Sequence, residues 1–372
     1  MGLLLNKGKK QKYYSLKGIL SKHAQYNIIV GERSNGKTYA CLKYGLECYV
    51  KDHSEMAYIR RTKEDFIGNR GVNLFAGLVA NGEVEKITHG EYTDIYYYAS
   101  RWYLCKYTEK GERVKSESPF CYGFAISTSE HDKSTSFPHV RNIIFDEFIT
   151  RTYYLSDEFT LFQNLISTII RLRSDVTIFM LGNTVNKYGC PYITEMGLKH
   201  LKNMKQGTID VYKYGDSELT VAVEYCKPDE KGKPNNYYFA FDNPKLAMIK
   251  SGVWEMDIHP HLPVKYKPRH VLLHYFIEYS GELLHAEIVS INGMTFTFIH
   301  PKTTPLSEKE KMHNLIYSTE IKPQPNYHRR ITEPCDKITN KVADYFSREQ
   351  VYYSSNEVGE IMMNYIKWCR ST

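Results

Sequence analysis

The stretch Gly31-Glu32-Arg33-Ser34-Asn35-Gly36-Lys37-Thr38 decides the fold, because it reads G-x-x-x-x-G-K-[ST], the pattern of a phosphate-binding loop. Its glycines let the backbone wrap a phosphate chain, and its amides, including those of Arg33, Ser34 and Asn35, can then face anionic oxygens. Lys37 is expected to reach the β- and γ-phosphates, with the Thr38 hydroxyl on Mg²⁺. An apolar run at 26–30 precedes the loop, and a proline-free stretch at 37–49 follows it. Strand, loop and helix in this order predict an α/β fold with a P-loop nucleotide-hydrolase core and a mainly parallel sheet.

The composition is that of an ordinary globular chain with a mild excess of positive charge. Its 372 residues suggest two domains with an intervening module, and the formal charge of +7 permits an acidic partner such as nucleic acid. The eight cysteines include no C-x-x-C pair, so we expect reduced thiols in a cytosolic protein rather than disulfides or a zinc site. No apolar run approaches the length of a membrane span, so no membrane is expected as a partner.

A second decisive stretch is Val140-Arg141-Asn142-Ile143-Ile144-Phe145-Asp146-Glu147, an apolar run that leads into two carboxylates. Its apolar part predicts a buried strand whose carboxyl end lies beside the phosphate loop. Asp146 is then expected in the Mg²⁺ shell. Glu147 is expected to orient and activate the attacking water.

Three further features are consistent with this site. The strand predicted at 176–181 ends in Gly182-Asn183-Thr184, where Asn183 can sense the γ-phosphate or the attacking water. Arg171 and Arg173 end a helix predicted at 157–173; they either complement its dipole or reach a neighbouring subunit's γ-phosphate. Arg60 and Arg61, which end a strand predicted at 56–61, face nucleotide or DNA, or form a surface salt bridge.

The base is predicted to be adenine by exclusion. GTPases read guanine with Asn-Lys-x-Asp, and the segment 186–189 begins that way but has Gly189 in place of the carboxylate. ATP is therefore the expected nucleotide.

The α/β alternation stops after Gly189, and this sets the predicted domain boundaries. We expect a P-loop ATPase domain at 1–197, a linker or lid module at 198–256 and an α+β domain at 257–372. The middle module opens on a lysine-rich helix predicted at 195–206, whose Lys199, Lys202 and Lys205 are candidates for DNA binding. The last domain is predicted as three strands joined by the turns Ser280-Gly281 and Asn292-Gly293, followed by two helices.

Taken together, these motifs resemble the DNA-packaging ATPases of phi29-like bacteriophages. The resemblance covers most of the first 200 residues and is weaker over the three C-terminal strands and the helices that follow them. The matching motifs are the phosphate loop, the Ile59-Arg60-Arg61 strand end, Phe137-Pro138, Ile144-Phe145-Asp146-Glu147-Phe148-Ile149, the arginines at 171 and 173, and Gly182-Asn183. It implies a ring motor of the additional-strand, conserved-glutamate class. By the same resemblance, Lys133 and Arg171 match positions that act in trans on the neighbour's nucleotide, and Arg33 matches an arginine that such motors carry in the loop.

The resemblance also implies partners and a location. These are double-stranded DNA, four further copies in a homopentamer and the portal of the procapsid; whether a packaging RNA joins stays open. The motor would work in the cytoplasm of the infected bacterial host, docked transiently on the procapsid. Its C-terminal domain would be similar to the RNase H-like nuclease of large terminases without the nuclease site, since the meander offers Glu278, Glu282 and Glu287 but no aspartate.

Three functions are therefore compatible with the sequence. The first is an ATP-driven motor that translocates double-stranded viral DNA into a preformed procapsid. The second is a large terminase whose C-terminal domain also cuts DNA. The third is a scaffold that binds nucleic acid and holds ATP as a structural ligand; Glu147 argues against it, because a structural site needs no water-activating carboxylate.

Overall fold

The computed structural model describes residues 14–128, 135–151, 153–227, 248, 253–262 and 264–371, with only the backbone of Lys199 and Ser371. The chain divides into two compact units. The first comprises Met1–Val185 and Pro191–Trp254, and the second comprises Asn186–Cys190 and Glu255–Thr372.

The first unit is built on one sheet of ten strands within the described residues. Most of these strands are short apolar runs, and the central ones are buried on both faces, as expected for parallel strands covered by helices. The strands are β1 (Tyr26–Gly31), β2 (Glu55–Arg60), β3 (Asp94–Tyr98), β4 (Arg101–Tyr107), β5 (Arg113–Lys115), β6 (Cys121–Ala125), β7 (Val140–Asp146), β8 (Thr177–Asn183), β9 (Thr208–Lys213) and β10 (Thr220–Tyr225).

The strand order is β3-β4-β6-β2-β7-β8-β1-β10-β9, with β5 paired to β4. The strands from β6 to β10 along this order run parallel, and antiparallel strands extend the sheet at both ends. The prediction of an α/β core with a mainly parallel sheet is confirmed. The carboxyl ends of β1, β2, β7 and β8 therefore meet at one edge.

Helices connect and cover these strands. They are α1 (Lys17–Leu20), α2 (Lys37–Asp52), α3 (Asn69–Val72), α4 (Ala76–Ala80), α5 (Glu83–Ile87), α6 (Glu158–Ile170) and α7 (Pro191–Glu195). Helix α2 buries Cys41, Leu42 and Leu46 in a core that also contains Phe75 and Trp102. Burial of this apolar face fixes α2, and with it the loop that precedes it, against the sheet.

The structure differs from the predicted linker or lid module at 198–256. The described part of that stretch adds strands to the first sheet, because β10 pairs in parallel with β1 from Tyr26↔Val221 to Val30↔Tyr225. The predicted helix at 195–206 is also wrong. Helix α7 ends at Glu195, Gly197 adopts φ 64°, and a separate 3₁₀ turn spans Lys199–Asn203. A left-handed glycine commonly ends a helix in this way.

The second unit is built on a six-stranded sheet in the order β15-β14-β11-β12-β13-β16. Strands β11, β12 and β13 form an antiparallel meander, and the other three are added in parallel. The strands are β11 (Val271–Tyr279), β12 (Glu282–Ile291), β13 (Met294–Pro301), β14 (Leu315–Ser318), β15 (Tyr327–His328) and β16 (Val351–Tyr353), and the helices are α8 (Glu308–His313), α9 (Lys337–Ser347) and α10 (Asn356–Ser371).

The meander and the closing helices were predicted from the sequence and are confirmed. Both hairpin turns place two residues at positive φ: 52° and 77° at Ser280-Gly281, and 50° and 77° at Asn292-Gly293. Such backbone twist matches that of the flanking strands. No helix in the described residues is long and apolar enough to span a bilayer.

Candidate active site

The parallel register of the first sheet gathers the predicted site residues at its carboxyl edge. Asp146 of β7 pairs with Leu181 of β8, and Asn183 of β8 pairs with Gly31 of β1. A cleft of about 250 Å³ opens there. Its lining comprises Ser34, Asn35, Gly36, Lys37, Thr38, Tyr39, Asp146, Glu147, Leu181, Gly182 and Asn183.

The glycines of the phosphate loop are required by its conformation. Gly36 has φ 89°, which strains any residue with a side chain, and helix α2 begins immediately after it. A Cβ on Gly31 would lie 2.8 Å from the Cβ of Cys226, so a side chain there would push β1 away from the chain that follows β10. The exposed Ser34 also has positive φ, at 61°. The loop is thus wound tightly between strand and helix.

Lys37 is buried at the centre of this loop. Its Nζ donates to the carbonyl oxygens of Glu32 at 2.7 Å and Gly31 at 3.3 Å, and to the side-chain oxygens of Asn35 at 3.2 Å and Asn183 at 3.3 Å. Burial lowers the pKa of Lys37 from its ordinary value. In the described part of the chain no carboxylate lies within ion-pair distance of the ammonium, so this buried cation fits a phosphate oxygen as its counter-charge.

Thr38 and Asp146 form the predicted metal-binding pair. The Thr38 hydroxyl donates to Asp146 Oδ2 at 3.0 Å, and the Tyr58 hydroxyl donates to the same oxygen at 2.9 Å. Burial raises the pKa of Asp146, opposed by the nearby Arg60 and by these two hydrogen bonds. A hydroxyl and a carboxylate of which only 13% is exposed fit Mg²⁺, which prefers hard oxygen ligands.

Glu147 follows Asp146 with φ 59°, so its side chain leaves the strand and reaches the cleft. Its backbone N–H donates to Asp146 Oδ1 at 3.0 Å. Its carboxylate accepts from Arg60 Nη2 at 2.8 Å, and 53% of the side chain is exposed. Arg60 also lies 3.9 Å from Asp146. The Arg60 guanidinium therefore bridges the two carboxylates that the sequence predicted to work together.

Arg61, by contrast, is anchored in the interior. Its guanidinium makes a two-pronged contact with Glu158 of α6, at 2.8 and 2.9 Å, and the Glu158 side chain has no exposed area. It also donates to the carbonyl oxygens of Glu147 at 3.3 Å and Phe148 at 3.1 Å. Arg60 forms part-exposed salt bridges with Glu147 and, at 3.4 Å, with Asp65 at the edge of the cleft. Arg61 instead holds the backbone that carries Glu147.

The two arginines after α6 lie in different surroundings. Arg173 donates to the carbonyl oxygens of Phe137 and Ile169, both at 3.1 Å, and so holds the end of its own helix. Arg171 is exposed, has φ 53°, and donates to the carbonyl oxygen of Thr135 at 3.0 Å. Lys133, the other residue predicted to act in trans, lies outside the described residues.

The remaining candidates are less closely tied to the cleft. Arg33 is exposed on the phosphate loop. Lys199 and Lys202 belong to the 3₁₀ turn and Lys205 follows it, so the three do not share the face of one α-helix. Their role in DNA binding stays a prediction.

Sequence reasoning missed Tyr58, which holds Asp146 from the neighbouring strand, and Glu158, which fixes Arg61. Burial raises the pKa of the Tyr58 hydroxyl well above its ordinary value, so it stays a donor. A polar aromatic within a central apolar strand was the available signal for Tyr58. Glu158 interrupts the start of an otherwise apolar helix face, and this was the corresponding signal in α6.

Comparison with known proteins agrees with this geometry. The chain is similar to the DNA packaging proteins of Bacillus phage phi29, at 27% identity over 182 residues (48% of each chain), and of Bacillus phage B103, at 29% over 186 residues (48% of this chain and 50% of the relative). The chain spans about half the length of these relatives.

Solved structures show the same fold. The bacteriophage Phi-29 genome packaging motor assembly matches with a TM-score of 0.58 at 17% identity, covering 95% of this chain and 96% of that one. The Phi-28 gp11 DNA packaging motor matches with a TM-score of 0.55 at 18% identity, covering 97% and 99%. The family described as Podovirus DNA encapsidation protein (Gp16) matches residues 8–93 and 105–228, more than half of the chain. The chain therefore belongs to the podovirus DNA encapsidation protein (Gp16) family.

Proposed function

We propose that the first unit binds ATP with Mg²⁺ and hydrolyses it to drive DNA movement. The observation that carries this proposal is the convergence of Lys37, the Thr38–Asp146 pair and Glu147 on one cleft. The groups come from two segments of the chain that are more than one hundred residues apart, and each has the chemistry that its role requires. The segment 186–189 lacks the carboxylate of a guanine-reading motif, which favours ATP.

The contacts support a role for each residue. The Lys37 ammonium, which now donates to oxygens of the phosphate loop and of Asn183, would donate instead to oxygens of the β- and γ-phosphates. Thr38 and Asp146 would hold Mg²⁺, which when bound neutralises phosphate charge and orients the chain of phosphates. Asn183 would then be free to sense the γ-phosphate.

Glu147 would act as the base that orients and activates water. Its ion pair with Arg60 occupies one of its two carboxylate oxygens, and the oxygen of a carboxylate is the group that accepts the proton of the water. Glu147 would therefore contact the water through its other oxygen or exchange Arg60 for it.

A second positive charge for the transition state would come from a neighbouring copy. Arg171 suits this role, because it is exposed and its contact is with a backbone carbonyl rather than a carboxylate. Arg173 is held by its own helix and suits it less. Lys133 stays a second candidate by family resemblance.

The family and its named relatives support DNA packaging as the work done with this energy. We propose that the chain forms a homopentameric ring, docks on the portal of a procapsid in the cytoplasm of the infected bacterium, and translocates double-stranded DNA. Reconstitution with and without a packaging RNA tests whether such an RNA joins the assembly.

We propose that the second unit has an RNase H-like fold without nuclease activity. Glu278 and Glu282 line a cleft of about 310 Å³ together with Glu320, whose carboxylate is paired with Lys322. In the described part of the chain these three do not form a group with ligand atoms close enough to share a metal ion. A two-metal nuclease needs its ions only ~3.5–4 Å apart.

The test is ATPase activity measured with and without double-stranded DNA at several protein concentrations. We expect stimulation by DNA, turnover that rises faster than linearly with protein until rings form, and no activity in Lys37→Ala. Near-normal turnover in Lys37→Ala would overturn the site. Cleavage of plasmid DNA by the same preparation with Mg²⁺ would instead favour a large terminase.

A further inference from the structure

A cluster of two histidines and a glutamate lies on the meander of the second unit. His274 of β11 pairs directly with Glu287 of β12, and His285 lies two residues before Glu287 on the same strand. Because alternate residues of a strand point to the same side, all three side chains share one face of the sheet. None of them has a role in ATP hydrolysis.

The separations within this cluster match those between ligands of a single metal ion. His274 Nδ1 lies 3.0 Å from His285 Nε2 and 3.4 Å from Glu287 Oε1, and the three ligand atoms all lie within 4.8 Å of one another. Two atoms bonded to one tetrahedral Zn²⁺ at ~2.0–2.1 Å lie ~3.3–3.4 Å apart. The three atoms therefore need only small shifts to share an ion.

The surroundings hold these side chains in place. The His285 ring stacks on Phe276 at 4.9 Å and on His274 at 5.1 Å between centroids. The Tyr266 hydroxyl donates to Glu287 Oε2 and leaves Oε1 turned toward the histidines. A hydrogen bond to the outer oxygen of a carboxylate is the usual way in which proteins orient a metal ligand.

The charges also leave a place for a cation. Only 14% of the Glu287 side chain is exposed, and among the described residues no lysine or arginine lies within ion-pair distance of it. A hydrogen bond between the two imidazoles uses one proton and adds no charge to balance the carboxylate. A divalent ion would balance it and bond to both rings.

We propose that His274, His285 and Glu287 bind one Zn²⁺ ion, with a fourth position left for water or another ligand. Two imidazole nitrogens and one carboxylate favour zinc and its transition-metal neighbours over Mg²⁺, which prefers oxygen ligands in octahedral geometry. The site ties β11 to β12 and, through Tyr266, to the segment before them. Its single carboxylate distinguishes it from a two-metal nuclease site.

The test is a Zn²⁺ titration of the full chain in excess Mg²⁺, with a chromophoric chelator as the competitor that reports free zinc. The chain is first freed of any affinity tag and stripped of bound metal with a separate chelator. We expect the parent chain to bind one equivalent of zinc. His274→Gln and Glu287→Gln should each abolish this binding or lower its affinity at least about 100-fold, since loss of a residue that only orients a ligand already costs about 10–100-fold in affinity. Tyr266→Phe should show that smaller loss.

Two controls keep the result specific. His328→Gln alters a separate His328, Cys335 and Asp336 cluster and should leave this equivalent unchanged. Circular dichroism of each zinc-free variant shows whether a loss of zinc binding comes from the missing ligand or from misfolding. His274 is exposed, so His274→Gln is the variant expected to fold normally. Unaltered zinc stoichiometry and affinity in folded His274→Gln and Glu287→Gln, or no zinc binding by the parent chain, would overturn the proposal.

Discussion

Replacing Arg61 with methionine should destabilise the first unit strongly, because it leaves the buried Glu158 carboxylate without its counter-charge. Methionine keeps the bulk of the side chain and removes the guanidinium. The two hydrogen bonds that Glu158 accepts from the Tyr192 hydroxyl at 3.0 Å and the Leu155 N–H at 2.8 Å remain. Breaking a buried pair from one side costs about 3–5 kcal/mol, and the retained bonds place Arg61→Met near the lower end.

Arg141→Met is the matched control. Arg141 pairs with Asp175 at 2.8 Å, the distance of the Arg61–Glu158 contact, but 44% and 46% of these side chains are exposed. An exposed pair contributes about 0–1 kcal/mol, so the control should change little. The double variant Arg61→Met/Glu158→Gln should recover part of the loss, because it removes the stranded charge.

Urea unfolding followed by tryptophan fluorescence measures these differences. In a Trp368→Phe background the remaining tryptophans, Trp102 and Trp254, both belong to the first unit. A loss of 3 kcal/mol lowers the unfolding midpoint by about 1 M urea if the slope is about 3 kcal/mol per M. Equal, small shifts in Arg61→Met and Arg141→Met would refute the reasoning, as would a double variant less stable than Arg61→Met.

Gly36→Ala should abolish ATP binding. Gly197 also has positive φ and has open space around it, so Gly197→Ala should cost about 1–2 kcal/mol of stability through backbone strain and leave ATP binding intact. Isothermal titration calorimetry with ATP distinguishes the two variants. Arg171→Ala should bind ATP but hydrolyse it poorly, and mixing it with Glu147→Gln should restore turnover; absence of rescue in proven mixed rings would contradict action in trans. DNA affinity should fall steeply with salt concentration and depend little on DNA sequence. Lys205→Gln should reduce the slope of log affinity against log salt concentration by about one, and an unchanged slope would show that Lys205 does not contact a DNA phosphate.

The sequence was sufficient for the centre of the site because its signals are local. The phosphate loop, the apolar run before Asp146 and the one before Asn183 each lie within a single short segment. Parallel strands in such an order must bring their carboxyl ends to one edge, so these residues could be placed together without coordinates.

Pairing between distant segments was not predictable in this way. The apolar residues Val221, Ala222 and Val223 indicate a strand, but nothing local says that its partner is β1, almost two hundred residues earlier in the chain. The stretch was therefore predicted as a separate module. The partners of Arg60 and Arg61 were hidden for the same reason, since Glu147 and Glu158 are brought near them only by the β2–β7 pairing and the packing of α6.

The helix predicted at 195–206 failed for a local reason that could have been weighed. Gly197 adopts φ 64° and its N–H donates to the Thr194 carbonyl, so the chain turns out of α7 there. Glycine at this position is a common helix end. The lysine spacing that suggested one helical face crosses this break.

The central claim is that Glu147 is the base of an ATP-hydrolysing site, and Glu147→Gln tests it most directly. The amide keeps the size of the side chain but cannot accept the proton. Binding of a labelled ATP analogue and steady-state phosphate release should be measured on the same preparation with double-stranded DNA present. We predict binding within about twofold of the parent chain and hydrolysis reduced by about 10²–10⁴. Hydrolysis at the parent rate in Glu147→Gln would contradict the account.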